Sequence, residues 1–253
     1  MTGLSRERFA EAVRLEPAEV GLACLLIGCE TEPDLDVDAS LAQLDDLAAK
    51  ARPQVQEHGL EVGMRRALSG FSGSAEDYQD VRSSLLHEVL RRGRGLPVLL
   101  SVVWCEVAAR IDQIALPLGH PGHVRVCLGD PLDTFVVVDP FRGGLAVDVD
   151  PEPVLQSNDL LLRILTNIRV LAQEQGRSLD SARTQLWATE LSLLLPSHPL
   201  SLRKERGELL SRLGDFTGGA RELESYADLI EGADPAGADA VRQHARLARS
   251  RLN

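Results

Sequence analysis

Apolar side chains recur every three or four residues along the first third of the chain, which is the spacing of an amphipathic helix. Pro17 and Pro53 suit first turns of helices, because a helix does not need the N–H there that proline lacks. The aspartates between residues 34 and 38 are expected to cap the next helix. The pattern therefore predicts a two-part helix over residues 5–30, helices over 39–51 and 54–68, and another beginning at Asp80 or Ser83.

The segment from Pro97 to Ile111 has a different pattern, because it is apolar on nearly every face. A helix that is apolar all round is a buried one. Pro97 is well placed at its first turn. This segment is therefore predicted to be the central helix of the first domain.

Beyond Pro117 the hydrophobic period changes from helical spacing to two, which predicts a β-hairpin with its turn centred near Pro131. In that register Val124 would lie opposite Val138, and His123 would lie opposite Asp139. Directly opposed residues have Cβ atoms about 4.5–5.5 Å apart. The imidazole and the carboxylate are therefore expected within hydrogen-bonding reach.

After residue 150 the pattern is helical only, which divides the chain into a first domain of residues 1–150 and a helical domain of 151–253. Landmarks around Gly207 and Phe216 match the small and aromatic positions of a repeat of about 34 residues. Two helix pairs are fewer than the three that a free array needs, so we expect them to lean on the first domain. The predicted helices cover residues 160–175, 181–195, 202–213, 216–229 and 239–252.

Composition narrows the classes of function. The 253 residues are 44% hydrophobic and 26% charged, with a net charge of -11. Such a charge argues against a nucleic-acid or anionic-membrane partner. No apolar run approaches the roughly 20 residues of a membrane span, and the N-terminus has no signal-peptide pattern. The four cysteines show neither a zinc-ligand spacing nor a CxxC pair, which favours a reducing cytoplasm. No cofactor is predicted.

His123 and Asp139 are the candidate catalytic pair. His123 follows a Pro-Gly turn and begins a strand, which suits a positioned imidazole. A carboxylate opposite would hold the imidazole tautomer and stabilise its cation, as a general base requires. The alternative is a histidine at a strand end whose carboxylate partner only closes a turn.

Ligand-binding candidates flank this pair. His120 lies three residues before His123, but a third metal ligand is not evident apart from Cys127 or the distant His87, so no metal site is predicted. Arg94 precedes the Pro97 helix, whose free N–H groups could help it bind an anion. The alternative for Arg94 is a solvated basic linker. His87, His120 and Arg94 are therefore the ligand-binding candidates.

The nucleophile is the uncertain member of the site. A catalytic cysteine is activated best at the N-terminus of a buried helix. That terminus has no thiol, and its first hydroxyl is Ser101. Cys105 lies one turn further on the same face, at a depth that favours a packed core thiol.

Taken together, these residues resemble the SirB-type transglutaminase-like family. The resemblance covers roughly residues 20–230 and rests on an ordered set of motifs: 33–37, 76–78, 86–90, 94–97 with 101 and 106–108, 119–123, 138–144, 206–207 and 213–216. It implies an α+β fold: a papain-like cysteine-hydrolase core with a buried central helix and an antiparallel sheet. An all-α, tetratricopeptide-like tail would follow.

In the wider transglutaminase-like superfamily a Cys-His-Asp triad places cysteine at the start of the central helix. His123 and Asp139 match the second and third members. Val98 and Leu99 occupy the position of the cysteine. The resemblance therefore implies a site without the usual thiol.

Three functions follow as hypotheses. The first is acyl- or amide-type chemistry, or ligand binding, at His123 and Asp139 without the usual cysteine. The second is a non-catalytic regulatory protein that binds a protein or peptide through the helical tail. The third is a hydrolase with Cys105 as nucleophile, which requires that thiol to lie exposed beside His123.

Overall fold

The computed structural model describes residues 3–148 and 152–250. These residues form two compact units, one ending at Ile164 and the other beginning at Leu165. The predicted domain boundary between residues 150 and 151 lies outside the described residues. None of the described helices combines the length and the apolar content needed to cross a membrane.

The first unit begins with helices. Their bounds are α1 Gly3–Ala12, α2 Val20–Gly28, α3 Val37–His58, α4 Leu60–Ala67, α5 Leu86–Arg92 and α6 Pro97–Arg110. Two short 3-10 helices, Ala75–Gln79 and Val81–Ser84, precede α5. Pro17 lies before α2 rather than in its first turn. Asp36 caps α3 as expected, because its side chain accepts a hydrogen bond from the Ala39 N–H at 2.9 Å.

Helix α3 corrects the prediction of two helices separated at Pro53. Pro53 lies inside one continuous helix, whose buried stripe includes Leu44, Ala48 and Ala51. Burial of that stripe offsets the hydrogen bond that the proline cannot donate. The chain breaks instead at Gly59, whose φ of 80° a residue with a side chain rarely adopts.

Helix α6 is the predicted central helix. Nearly all its side chains are buried, including Val98, Leu99 and Trp104 with exposures of 1% or less. It packs on α3 on one side and on the sheet on the other. The all-round apolar pattern thus identified the centre of the core correctly.

The sheet has four antiparallel strands in the order β1-β2-β3-β4. The strands are β1 Ala115–His120, β2 His123–Gly129, β3 Phe135–Asp139 and β4 Leu145–Ala146. The predicted hairpin corresponds to β2 and β3, whereas strand β1 begins before Pro117 and β4 was not predicted. Strand β4 has only two residues, too few to show a period.

The predicted register of β2 against β3 is wrong by two residues. Val138 pairs with Val126, not with Val124. The reason is the turn, which spans residues 130–134 between the paired Gly129 and Phe135. A shift of two residues keeps every side chain on its predicted face, because the side-chain period of a strand is two. His123 is thus a diagonal neighbour of Asp139 rather than its direct partner.

The remaining helices follow the predicted order. They are α7 Ser157–Glu174, α8 Leu179–Ser192, α9 Ser201–Arg212, α10 Phe216–Ile230 and α11 Pro235–Ser250. The predicted end of the last helix at Leu252 lies outside the described residues. Helices α9 and α10 approach closely at small residues, since a Cβ on Gly207 would lie 2.9 Å from the Gly219 carbonyl oxygen. This stacking is the tetratricopeptide-like arrangement that the landmarks predicted.

Candidate functional site

The structure brings His123 and Asp139 together at the end of the sheet. Nε2 of His123 lies 2.9 Å from Oδ1 of Asp139. The two side chains are 19% and 5% exposed, respectively. A diagonal pair of this kind is within reach of long side chains. His123 and Asp139 therefore pair as predicted, although the predicted register was off by two residues.

Asp139 is itself held in place by the chain that follows it. It precedes the 3-10 helix Pro140–Arg142, and its Oδ1 accepts a second hydrogen bond from the Phe141 N–H at 3.1 Å. An ionised carboxylate only accepts hydrogen bonds, so Nε2 of His123 is the nitrogen that carries the proton. Nδ1 of the neutral ring is then an acceptor, and no described residue donates to it. The imidazole has the orientation of a base with one free nitrogen.

Aromatic rings form one side of this site. The Phe141 ring meets the His123 ring edge to face, with centroids 5.8 Å apart. Tyr78 contacts the other side of Phe141 at 5.6 Å. The Phe141 ring also lies directly over Gly73, where a Cβ would come within 2.0 Å of it. These contacts hold the Phe141 ring in place against the imidazole of His123.

Within residues 3–148 and 152–250, no nucleophile is in hydrogen-bond contact with His123. Val98 and Leu99, at the position of the superfamily cysteine, are buried in the core. The Ser101 hydroxyl is fully buried and donates to the Val98 carbonyl oxygen at 2.7 Å, within its own helix. Burial and then the Glu106 charge raise the pKa of the Cys105 thiol, which keeps it protonated. Neither side chain hydrogen-bonds His123 among the described residues.

Arg94 is bound by the protein's own acidic groups. Its guanidinium donates to Asp77 at 3.2 Å, to Glu76 at 3.3 Å and to the Ser74 hydroxyl. Asp77 is 1% exposed. Burial alone would raise the pKa of Asp77, but hydrogen bonds from Ser83, Ser74 and Arg94 hold it below its usual value. The charge of Arg94 therefore stabilises the segment that carries Tyr78.

His87 lies in the core, away from the sheet. It is 3% exposed, and its Nδ1 is buried without a hydrogen-bond partner. Its Nε2 lies 3.7 Å from Glu32. Burial, followed by the Arg91 charge, lowers the pKa of His87 against the opposing effect of Glu32 and Glu88. The ring is therefore neutral at pH 7.

One group of potential metal ligands is present among residues 3–148 and 152–250, formed by Glu32, His87 and Glu88 with their ligand atoms within 4.8 Å of one another. Arg91 already pairs with both carboxylates, at 2.7 Å and 3.3 Å. Its guanidinium occupies the position of a cation there. His120 and His123 are not part of such a group in this range.

Tyr78 and Arg163 lie near the His123–Asp139 pair but were not candidates in the sequence analysis; the candidate His120 connects Arg163 to the pair. His120 is exposed and pairs directly with His123 across the β1–β2 turn. The His120 carbonyl oxygen accepts a hydrogen bond from Arg163 Nη2 at 2.7 Å. Arg163 and Tyr78 lie close enough for each to shift the pKa of the other. Tyr78 belongs to a family motif, but Arg163 has no local sequence signal because it lies in an ordinary amphipathic helix.

The second unit contains a groove of its own. A cavity of about 700 Å³ lies between the end of α7 and helices α8 and α9. Its lining includes Arg177 and Arg212 as well as Glu205 and Glu208. The groove thus presents both signs of charge beside the apolar side chain of Leu209.

Sequence comparison agrees with this fold. A profile described as the transglutaminase-like superfamily matches residues 38–186, and a tetratricopeptide-repeat profile matches residues 177–253. The first match covers more than half of the chain, so the protein belongs to the transglutaminase-like superfamily. The helical tail is tetratricopeptide-like.

Curated relatives specify the branch. A UPF0162 protein of Xylella fastidiosa is 28% identical over 87% of this chain and 86% of its own length. A UPF0162 protein of Pseudomonas aeruginosa is 26% identical over 74% of this chain and 77% of its own. The mouse protein named F-box only protein 21 is 26% identical over 51% of this chain and 23% of its own. No solved structure matches the chain significantly. These relatives confirm the SirB-type resemblance.

Proposed function

We propose that the protein binds an acyl- or amide-bearing ligand at His123 and Asp139 without forming a covalent intermediate on a thiol. The observation that carries this proposal is the oriented imidazole, with Nε2 bonded to Asp139 at 2.9 Å and Nδ1 left without a partner. Nδ1 would accept a hydrogen bond from an amide N–H or a bound hydroxyl. It would also serve as the base in any proton transfer at that ligand.

Among the described residues no cysteine hydrogen-bonds His123, and this supports a non-covalent function. A cysteine nucleophile needs a lowered pKa and hydrogen-bond reach of its base. Burial shifts the pKa of Cys105 in the opposite direction, and no hydrogen bond joins it to His123. The geometry therefore favours binding by the imidazole over attack by a thiolate.

Histidine-selective NMR tests the proposal. Titration with N-acetylglycinamide, a small neutral amide, is expected to shift the His123 ring resonances in a saturable manner. Asp139→Asn keeps an oxygen that can accept from Nε2 but removes the charge, so it should weaken binding. Asp133→Asn is the matched control, since it makes the same chemical change at an exposed residue of the turn between β2 and β3. Ring resonances of His123 that do not move with any amide or acyl probe would refute the proposal.

A second function, binding of a protein or peptide through the helical tail, is supported by the charged groove of about 700 Å³ in the second unit. Tetratricopeptide-like repeats commonly mediate protein interactions. A photo-crosslinking residue placed at Glu208, an exposed residue of the groove lining, should capture a partner in the full chain, and Arg212→Glu should abolish that capture. Equal capture from Leu132, an exposed turn residue of the first unit, would contradict a groove-specific interaction.

A further inference from the structure

Arg163 differs from three other half-buried arginines of the first unit. Arg92, Arg110 and Arg125 each form an ion pair with a carboxylate. Arg163 has no carboxylate within 4.0 Å among the described residues, and its hydrogen bond goes to the neutral carbonyl of His120. Its charge is therefore not neutralised by the described part of the protein.

Arg163 is positioned beside the proposed ligand site. The β1–β2 turn has only two residues, Pro121 and Gly122, so that His120 and His123 are directly paired. A guanidinium bonded to the His120 carbonyl consequently lies at the same end of the sheet as the imidazole. Tyr78 contacts the Phe141 ring that packs on His123, and its phenol interacts electrostatically with both Arg163 and Asp139.

We propose that Arg163 binds an anionic oxygen group of the ligand held at His123 and Asp139. The ligand class is then an amide or acyl compound that carries a carboxylate or a phosphate. This inference rests on the proposed function and adds the charge of the ligand to it.

The chemistry of the surrounding groups supports an anion at this position. A guanidinium has five N–H donors, and a single bond to His120 leaves donors free for a second acceptor. Partial burial reduces the competition from water and strengthens a charge-assisted bond. The Asp139 carboxylate, which would repel an anion, is already engaged by His123 and the Phe141 N–H. On a chain of net charge -11, an anion needs such a local cation.

Three probes that share an N-acetyl amide and differ in their end group test the inference on the full chain. N-acetylglycine carries a carboxylate, N-acetylphosphoethanolamine carries a phosphate, and N-acetylglycinamide is neutral; each contains an amide. Dissociation constants come from the His123 ring resonances. We expect the better of the two anions to bind at least about ten-fold more tightly than the neutral amide, the effect of one hydrogen bond to a charged group. The anion that binds more tightly shows whether the ligand's anionic group is a carboxylate or a phosphate.

Variants assign the preference to Arg163. Arg163→Gln removes the charge and keeps a donor for the His120 carbonyl, so the preference for the anion should fall to about one. Arg163→Lys keeps the charge and should retain most of the preference. If Arg163→Gln unfolds, the salt dependence of binding in Arg163→Lys and in the wild type gives the same test, since an anion bound by a cation weakens as salt rises. Arg183→Gln, at an exposed arginine of α8, is the matched control and should change nothing.

The outcomes separate this inference from the proposed function. If the neutral amide shifts His123 as strongly as the anions do, or if Arg163→Gln keeps the anion preference, the inference about Arg163 is wrong and the ligand site stands. Salt-independent anion binding also overturns it. If none of the probes shifts His123, the ligand site itself is refuted, and the inference with it.

Discussion

Acidification should destabilise the first unit through the buried imidazole of His87. Burial lowers the folded-state pKa of His87 below the ordinary value of 6.5. The unfolded chain therefore binds a proton near pH 6.5, while the folded protein binds it only at lower pH. The stabilising effect is fully present above pH 6.5 and is lost as the pH falls from there towards the folded-state pKa.

The magnitude follows from the linkage between protonation and folding. While the unfolded chain is protonated at this position and the folded protein is not, the free energy of unfolding falls by up to about 1.4 kcal/mol per pH unit. The ring is 3% exposed, so solvent screens little of this effect. Between pH 7.5 and pH 5.5 only the interval below pH 6.5 contributes, so the loss is at most about 1.4 kcal/mol.

Urea unfolding monitored by tryptophan fluorescence measures this loss. The chain has two tryptophans, and Trp187→Phe leaves Trp104, which is fully buried in the first unit, as the reporter. His87→Gln in that background removes the titrating group and should reduce the difference in unfolding free energy between pH 7.5 and 5.5, by at most about 1.4 kcal/mol. His120→Gln, at an exposed histidine of the same unit, is the control and should leave the difference unchanged.

Two results would refute the reasoning. The first is an identical pH dependence in His87→Gln and the wild type, which would mean that the His87 ring takes up its proton equally in both states. The second is a folded state that gains stability relative to His87→Gln on acidification. In that case the carboxylates of Glu32 and Glu88 would dominate over burial and the Arg91 charge.

Three further predictions concern the core. In urea titrations, Leu99→Ala should lower the free energy of unfolding by about 2–5 kcal/mol, because the side chain is fully buried. Leu132→Ala, at a residue that is 95% exposed, is the control and should change it by less than about 0.5 kcal/mol. Equal effects would contradict the buried position of α6. Cys105 should resist iodoacetamide at pH 7 until the protein unfolds, because burial raises the pKa of its thiol. Mass spectrometry measures the modification, and fast labelling of Cys105 in the folded protein would contradict this prediction. Gly144→Ala should cost more than about 1 kcal/mol, because φ is +76° and its Cβ would lie 2.3 Å from the Trp104 ring; an unchanged melting temperature would exclude that contact.

Local pattern was sufficient for much of the fold. The all-round apolar segment from Pro97 predicted α6 almost to the residue, because a buried helix must be apolar on every face. The alternation after Pro117 predicted the hairpin that carries His123. The proximity of His123 to Asp139 was predictable even with the wrong register, because a shift of two residues preserves the face of each side chain.

Where sequence prediction went wrong, a longer-range contact was responsible. Pro53 was expected to begin a helix, but α3 continues through it to His58, and the turn after Pro53 packs closely on Gly63 of α4. The predicted register of β2 against β3 depended on where the turn is centred. The spacing between the two strands does not fix that centre, so the predicted register was off by two residues. Both outcomes depend on packing between segments that a local window does not contain.

The sequence by itself determined the class of fold, the buried central helix, the helical tail and the identity of the histidine–aspartate pair. Only the tertiary structure decided the charge around that pair. Folding pairs Arg94 with the carboxylates of Asp77 and Glu76. It also places Arg163 next to the carbonyl oxygen of His120, 43 residues away in the chain. The physical reason is that hydrophobic periodicity records which side chains are buried, whereas the partner of a charge is set by the distances that folding creates.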